Sequence, residues 1–292
     1  MIAAPGNRPQ GRWLAILALV VVLGSAAPVV AQQATDPPAS DLLNAVLWMQ
    51  RSVEYKASAL TAFALARIRL DQALADPNWT GVPREQTGAY QLLPTAVILD
   101  IDETILDNSG YQAWMALKGT TFDPKTWNAY VNTVTSLPIP GALEFARYAD
   151  SKGVKVFYVT NRTAEEEPAT RKNLEKFGFP MGGNTDTMLM TRKQPDWGSA
   201  KGTRRAHVAR GYRVLLNIGD NFGDFVDEYR GGEAERLKVL EQHKDRWGRE
   251  WIMIANPSYG SFESAPFGHD FKLPDGEKRR LKRGVLDAWP GP

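Results

Sequence analysis

Residues 95–112 read TAVILDIDETILDNSGYQ. The apolar, β-branched run Ala96-Val97-Ile98-Leu99 predicts a strand buried on both faces, the habit of strands in parallel sheets. Asp100 and Asp102 then fall at its C-terminal tip, where open α/β sheets build their sites. Side chains alternate along a strand, but the chain leaves the strand here, so both carboxylates can face one crevice. Two acids crowded at a strand end repel each other and need a cation or a shared proton. A hard divalent metal bound by oxygen meets that need, and magnesium is the usual choice beside phosphate. The same residues would also serve a strand followed by an Asp/Thr helix cap, so their partners decide the reading.

Those partners follow in order along the chain. A second apolar run, Val154 to Val159, ends in Thr160, Asn161 and Arg162. A third, Val214 to Ile218, ends in GDNFGDF, which carries Asp220 and Asp224. Between them, after a loop rich in Pro, Gly and Trp, Lys201 opens a basic helical stretch, with Lys193 as the rival for the same charge. Thr187–Met190 and Trp251–Ala255 complete five short apolar runs, and helical patterns lie between them at Leu143–Asp150, Ala164–Phe177, Lys201–Ala209 and around Glu233. Strand and helix in alternation predict an α/β fold with a doubly wound parallel sheet. Ahead of it, Leu43, Val46, Leu47, Met49 and Val53 form a helical stripe, so 41–90 reads as an N-terminal helical part and 91–292 as the α/β core. The Trp48–Tyr55 segment reads as core packing. The basic run Lys278–Arg283 reads as a solvated helix face.

In these segments the sequence resembles the haloacid dehalogenase superfamily, and within it the class C, lipoprotein-type bacterial acid phosphatases with four marker aspartates. The matching segments are DIDETILDNSGYQ, FYVTNR, Lys201 in GSAKG, and GDNFGDF, flanked by VLWMQRSVEYKA, FDPKTW (122–127) and NPSYGSFE (256–263). The resemblance implies a Rossmann-like core with a small cap, a magnesium ion, and hydrolysis of phosphate monoesters, 5′-nucleotides among them. Asp100 is the candidate nucleophile, since a carboxylate can attack phosphorus and split hydrolysis into two steps. Asp102 is placed to protonate the leaving alkoxide and then to deprotonate water. Thr160, with Asn161 and Arg162 beside it, is suited to the phosphoryl oxygens, and Lys201 to offsetting their charge. By resemblance, magnesium is held by Asp100, Asp220 and the main-chain carbonyl of Asp102, with Asp224 orienting metal-bound water or Lys201. Trp127 and Tyr259 match positions that stack on a base in the resembling nucleotidases, with Tyr111 and Phe262 as weaker candidates for the same wall. Residues 110–138 are too few for a large cap, so a small lid or the N-terminal helices must close the site.

Composition bounds the alternatives. The chain has 292 residues and a formal charge of +2. The first 31 residues hold Arg8 and Arg12 and no acid, so the remainder is balanced, 33 basic against 33 acidic residues. That argues against a nucleic-acid polymer as partner. Arg8 and Arg12 precede an apolar run from Trp13 to Leu23, and Val29-Val30-Ala31 supplies the small residues a signal peptidase reads. The expectation is an export signal over 1–31 cleaved after Ala31, a polar linker over 32–40, and a periplasmic or secreted protein without a stable membrane anchor. The absence of cysteine removes disulfides, thiolate metal sites and the lipid-bearing cysteine of lipoprotein relatives. No P-loop, G-x-S-x-G or H-E-x-x-H motif is present. Two other functions stay open on sequence alone: phosphotransfer to an alcohol through the same intermediate, and a non-catalytic envelope ligand-binding protein. Homodimerisation also stays open.

Overall fold

The computed structural model describes residues 40–291. The expected signal and nearly all of the linker lie outside them. The chain enters through two helices, α1 (Leu43–Arg51) and α2 (Val53–Ala75). Ser52 separates them: its extended backbone ends α1, and its side chain accepts the Tyr55 N–H at 3.0 Å to cap α2. The first strand, β1 (Thr95–Leu99), leads to a small insertion. This holds β2 (Leu106–Asp107), α3 (Ser109–Lys118), α4 (Pro124–Val131) and β3 (Leu137–Pro138). β2 and β3 pair antiparallel and form the neck of this cap, which packs against α1 through α3. The FDPKTW segment proves to be a helix start: Asp123 accepts the Lys125 and Thr126 N–H groups at 3.0 Å, and Pro124 occupies the first turn.

The core then alternates α5 (Ala142–Ser151), β4 (Lys155–Thr163), α6 (Glu167–Phe177), β5 (Met188–Thr191), α7 (Gly202–Gly211), β6 (Arg213–Gly219), α8 (Glu233–Gln242) and β7 (Trp251–Met253). A short α9 (Ser261–Ser264) and a basic α10 (Asp275–Gly284) close the chain. The main sheet runs β5-β4-β1-β6-β7, all parallel. All five apolar runs are therefore strands.

Strand periodicity divides the core. Val97 and Leu99 of β1, with Val156 and Tyr158 of β4, pack under α2 and α5 together with Phe63, Leu70 and Phe145. Ala96 and Ile98, with Phe157 and Val159, face the other way onto Val208 and Ala209 of α7. Both faces of β1 are covered, which is why its sequence shows no polar alternation. The loop after α2 crosses the sheet at close range: the Gly81 N–H reaches the Val214 carbonyl at 2.7 Å. A Cβ at Gly81 would lie 3.2 Å from the Leu215 carbonyl oxygen. β1 is the strand at which the winding reverses, so its C-terminal end opens a crevice.

Candidate active site

The register carries the sequence motifs to one edge. Leu99 pairs with Tyr158 on one side and Ile218 on the other, and the Asp100 N–H continues the ladder to the Ile218 carbonyl at 2.9 Å. Asp100 just past β1, Asp220 just past β6 and Thr160 near the end of β4 therefore lie at the same end of three adjacent strands.

Carboxylate oxygens of Asp100, Asp220 and Asp224 come within 4.8 Å of one another. Lys201, the residue before α7, places Nζ 2.5 Å from Asp100 Oδ1 and 2.5 Å from Asp224 Oδ1. Two glycines allow this approach: a Cβ at Gly219 would overlap the Asp224 carboxylate, and one at Gly202 would overlap Asp227, which accepts the Gly202 N–H at 3.0 Å. Asp224 also accepts the Asn221 N–H at 2.8 Å. Asp220 is held by Thr104 Oγ1 at 3.2 Å and Asn256 Nδ2 at 2.8 Å. Lys193, the rival lysine, lies elsewhere, bonded to Glu167 and Asp186 at 2.8 Å.

Burial raises the Asp100 carboxyl to about 6 against the pull of Lys201, with the Asp224 and Asp102 charges adding to the rise. Burial likewise raises Asp220 well above the ordinary carboxylate range, helped by Asp224 and Asp100. Burial opposes the Lys201 ammonium, but Asp100 and Asp224 outweigh it and raise that group. One lysine facing three carboxylates leaves the cluster short of positive charge. An all-oxygen, anionic donor set of this kind suits a hard divalent cation. The residues present thus fit the metal that the resemblance implies.

Asp102 belongs to a different arrangement. Its Oδ1 accepts Arg162 Nε at 2.9 Å, Arg162 Nη2 at 2.8 Å and Asn108 Nδ2 at 2.8 Å. Arg162 had been expected on the phosphoryl group. The structure turns it instead to Asp102, because a guanidinium buried to 2% exposure needs acceptors for its N–H groups, which Asp102 Oδ1, Thr170 Oγ1 and Asn108 Oδ1 supply. The Asp102 carboxylate is correspondingly absent from the converging metal-type group, so from this residue only the main-chain carbonyl is left for that role.

Glu103 stands in the left-handed region at φ 56°, uncommon for a non-glycine residue, and is fully buried. Its carboxylate accepts the Asn108 N–H at 2.9 Å and the Tyr259 hydroxyl. Burial, with Asp102 nearby, lifts it to about 8 despite these donors. Tyr55, read from the sequence as core packing, is buried, and its ring meets Trp48 edge-on at 5.2 Å.

Thr160 is buried, its Oγ1 accepting the Arg162 N–H at 3.1 Å and its carbonyl accepting Arg204 Nη1. Asn161, expected at the substrate, commits its carboxamide to the loop. Its Oδ1 accepts Arg204 Nη2 at 2.6 Å and Thr191 Oγ1 at 3.1 Å, and its Nδ2 donates to the Ser199 carbonyl at 3.0 Å. Trp127, on α4, is half-buried against Tyr111, Phe122 and Tyr130, with the Arg162 guanidinium 5.5 Å from its ring centre. Tyr259 is engaged through its hydroxyl with Glu103, and among the described residues its ring does not pair with Trp127. Phe262 is exposed. Sequence reasoning missed Asn108, Glu103 and Arg204. The first two lie inside the quoted motif, and their place in it was the available signal.

Comparison with known proteins agrees with this fold. Residues 24–262 match the family model for the HAD superfamily, subfamily IIIB (acid phosphatase). The class C acid phosphatase from Bacillus anthracis is similar in structure, with a TM-score of 0.74 and 31% identity over 85% of this chain and 97% of that one. The tungstate-bound form of that enzyme gives a TM-score of 0.75. Acid phosphatase 1 of Solanum lycopersicum is 28% identical over 134 residues, which is 44% of this chain and 51% of that protein. A stem 31 kDa glycoprotein of Glycine max is 28% identical over 146 residues, 49% of this chain and 56% of that protein. The chain spans about half the length of the curated relatives it matches. It belongs to the HAD superfamily, subfamily IIIB, the acid phosphatases.

Proposed function

We propose that this protein is an exported, magnesium-dependent phosphomonoesterase that acts on small phosphate esters, nucleoside 5′-monophosphates among them, through a phosphoryl group carried on Asp100. The observation that carries the reading is the convergence of Asp100, Asp220 and Asp224 at one end of the sheet, with Lys201 bonded to Asp100 and Asp224. A bound magnesium ion, held by Asp100, Asp220 and the Asp102 carbonyl, would neutralise charge on the phosphoryl oxygens. An Asp100 oxygen attacks phosphorus as the bond to the leaving oxygen breaks, and a proton from Asp102 goes to that oxygen. Asp102 then takes a proton from water as the water oxygen displaces Asp100. Lys201 offsets the charge on the transferring group throughout. Phosphate release by the mature chain, measured over a panel of esters with and without magnesium, tests this reading. No release from any ester in the presence of magnesium would leave a ligand-binding protein.

The cap supports the nucleotide preference. Tyr111, Phe122, Trp127 and Tyr130 form a cluster of rings beside Arg162, with Phe122 exposed at 60%. Stacking on a base contributes on the order of 1–3 kcal/mol, so Trp127→Ala should raise KM for a nucleoside monophosphate roughly ten- to a hundredfold. Glycerol phosphate, which presents no ring, should be affected much less. Equal losses for both esters, with a lower melting temperature, would make Trp127 a packing residue and withdraw the nucleotide preference.

The charge and hydropathy pattern of residues 1–31 supports export, and among the described residues no helix is long and apolar enough to cross a membrane. The mature N-terminus should be Gln32. Sequencing an intact, Met1-containing, membrane-held form from the native envelope would contradict this.

A further inference from the structure

Asp102 does not use its two oxygens alike. Oδ1 is saturated by three donor contacts at 2.8–2.9 Å, two from Arg162 and one from Asn108. Oδ2 accepts no hydrogen bond among the described residues, and the side chain retains 16% exposure. The donors are themselves fixed. Arg162 Nη1 donates to Thr170 Oγ1 at 3.0 Å, and Nη2 also reaches Asn108 Oδ1 at 3.2 Å. Asn108 Oδ1 further accepts Ser136 Oγ at 2.7 Å. The Trp127 ring lies against the guanidinium. These acceptor contacts fix the Asn108 carboxamide orientation, with its NH₂ toward Asp102.

We propose that Arg162, with Asn108, is a positioning residue that reserves Oδ2 of Asp102 for the proton delivered to the leaving group. This rests on the reading of Asp102 as the general acid. A proton on Oδ1 would meet three donors and no acceptor, so whenever Asp102 carries the proton Oδ2 is the oxygen that can bear it. In the transfer, the Oδ2–H bond breaks as the phosphorus–oxygen bond to the leaving group breaks. The bonding pair of that phosphorus–oxygen bond stays on the leaving oxygen, and the proton joins it there. Without Arg162 the carboxyl group can rotate, and either oxygen can carry the proton in directions that miss the leaving group.

Such a role has a signature that general damage to the site lacks. Alkoxide leaving groups need the proton, whereas p-nitrophenolate departs without it. General acid catalysis contributes about 10²–10⁴-fold. In Arg162→Gln, kcat/KM for glycerol phosphate should fall about a hundredfold. For p-nitrophenyl phosphate it should fall less than about fivefold. Arg162→Lys keeps the charge but not the two-donor grip and should show a smaller loss of the same selectivity, and it decides the matter if Arg162→Gln does not fold. Asp102→Asn is measured beside them. Selective loss in Asp102→Asn with uniform loss, or none, in folded Arg162 variants overturns the positioning role alone. Uniform loss in Asp102→Asn as well overturns the general-acid reading beneath it.

Discussion

Asp100→Asn protein should fold normally and lose turnover by on the order of 10⁴-fold or more, the scale seen when an attacking nucleophile is removed. An amide oxygen has neither the charge nor the lone-pair basicity to displace an alkoxide from phosphorus. The substitution is nearly isosteric and removes one of three crowded carboxylates while Lys201 keeps Asp224 as its partner. Because burial already raises Asp100 above the ordinary carboxylate range, its charge is a net cost to the metal-free fold. The melting temperature of the metal-free variant should therefore equal or exceed that of the wild type. Near-normal hydrolysis would exclude Asp100 as the nucleophile. A collapse in stability would make the loss of activity uninformative about chemistry, and circular dichroism with thermal unfolding separates the two.

Removal of divalent metal should abolish activity and make the stability of the protein depend on pH in a definite direction. Asp100 is raised to about 6, Glu103 to about 8 and Asp220 well above the ordinary range, in each case chiefly by burial. A raised folded value means the native state binds protons more tightly than the unfolded chain. The stabilisation is thus complete below the unfolded values of about 4 and is lost as pH rises toward about 8. Metal-free protein should melt lower at pH 8 than at pH 5. Magnesium binds the deprotonated carboxylates, so its effect should run the other way and be largest at pH 8. At a hundredfold excess over Kd it adds about 2.7 kcal/mol, or roughly 5–10 °C for a domain of this size. A melting temperature indifferent to both pH and magnesium would show that the Asp100–Asp220–Asp224 cluster is not a metal site.

The framework was legible because it rests on local patterns. The five apolar runs became the five parallel strands, and the end of each run set which residues reached the crevice. Lys201 stood out over Lys193 only through its place before α7, and the structure sets its Nζ on Asp100 and Asp224. What stayed hidden are contacts between polar groups distant in sequence, which obey no period. Arg162 reaches Asp102 across 60 residues, and Tyr259 reaches Glu103 across 156. Nothing in the spacing of FYVTNR tells whether its arginine faces a phosphate or a buried carboxylate. The elements inside the expected small cap stayed hidden for a related reason. Its two-residue strands are too short to alternate, and only the Asp123-Pro124 start of α4 gave a local signal.

In the proposed mechanism the phosphoryl group passes through Asp100. The direct measurement is acid quenching of the enzyme during turnover of a good substrate with magnesium, followed by peptide mass analysis of the trapped protein. One phosphoryl group is expected, carried on the peptide that contains Asp100 and absent from the same peptide of Asp100→Asn protein. A phosphorylated histidine, or product release with no phosphorylated peptide at any time in the turnover, would contradict it.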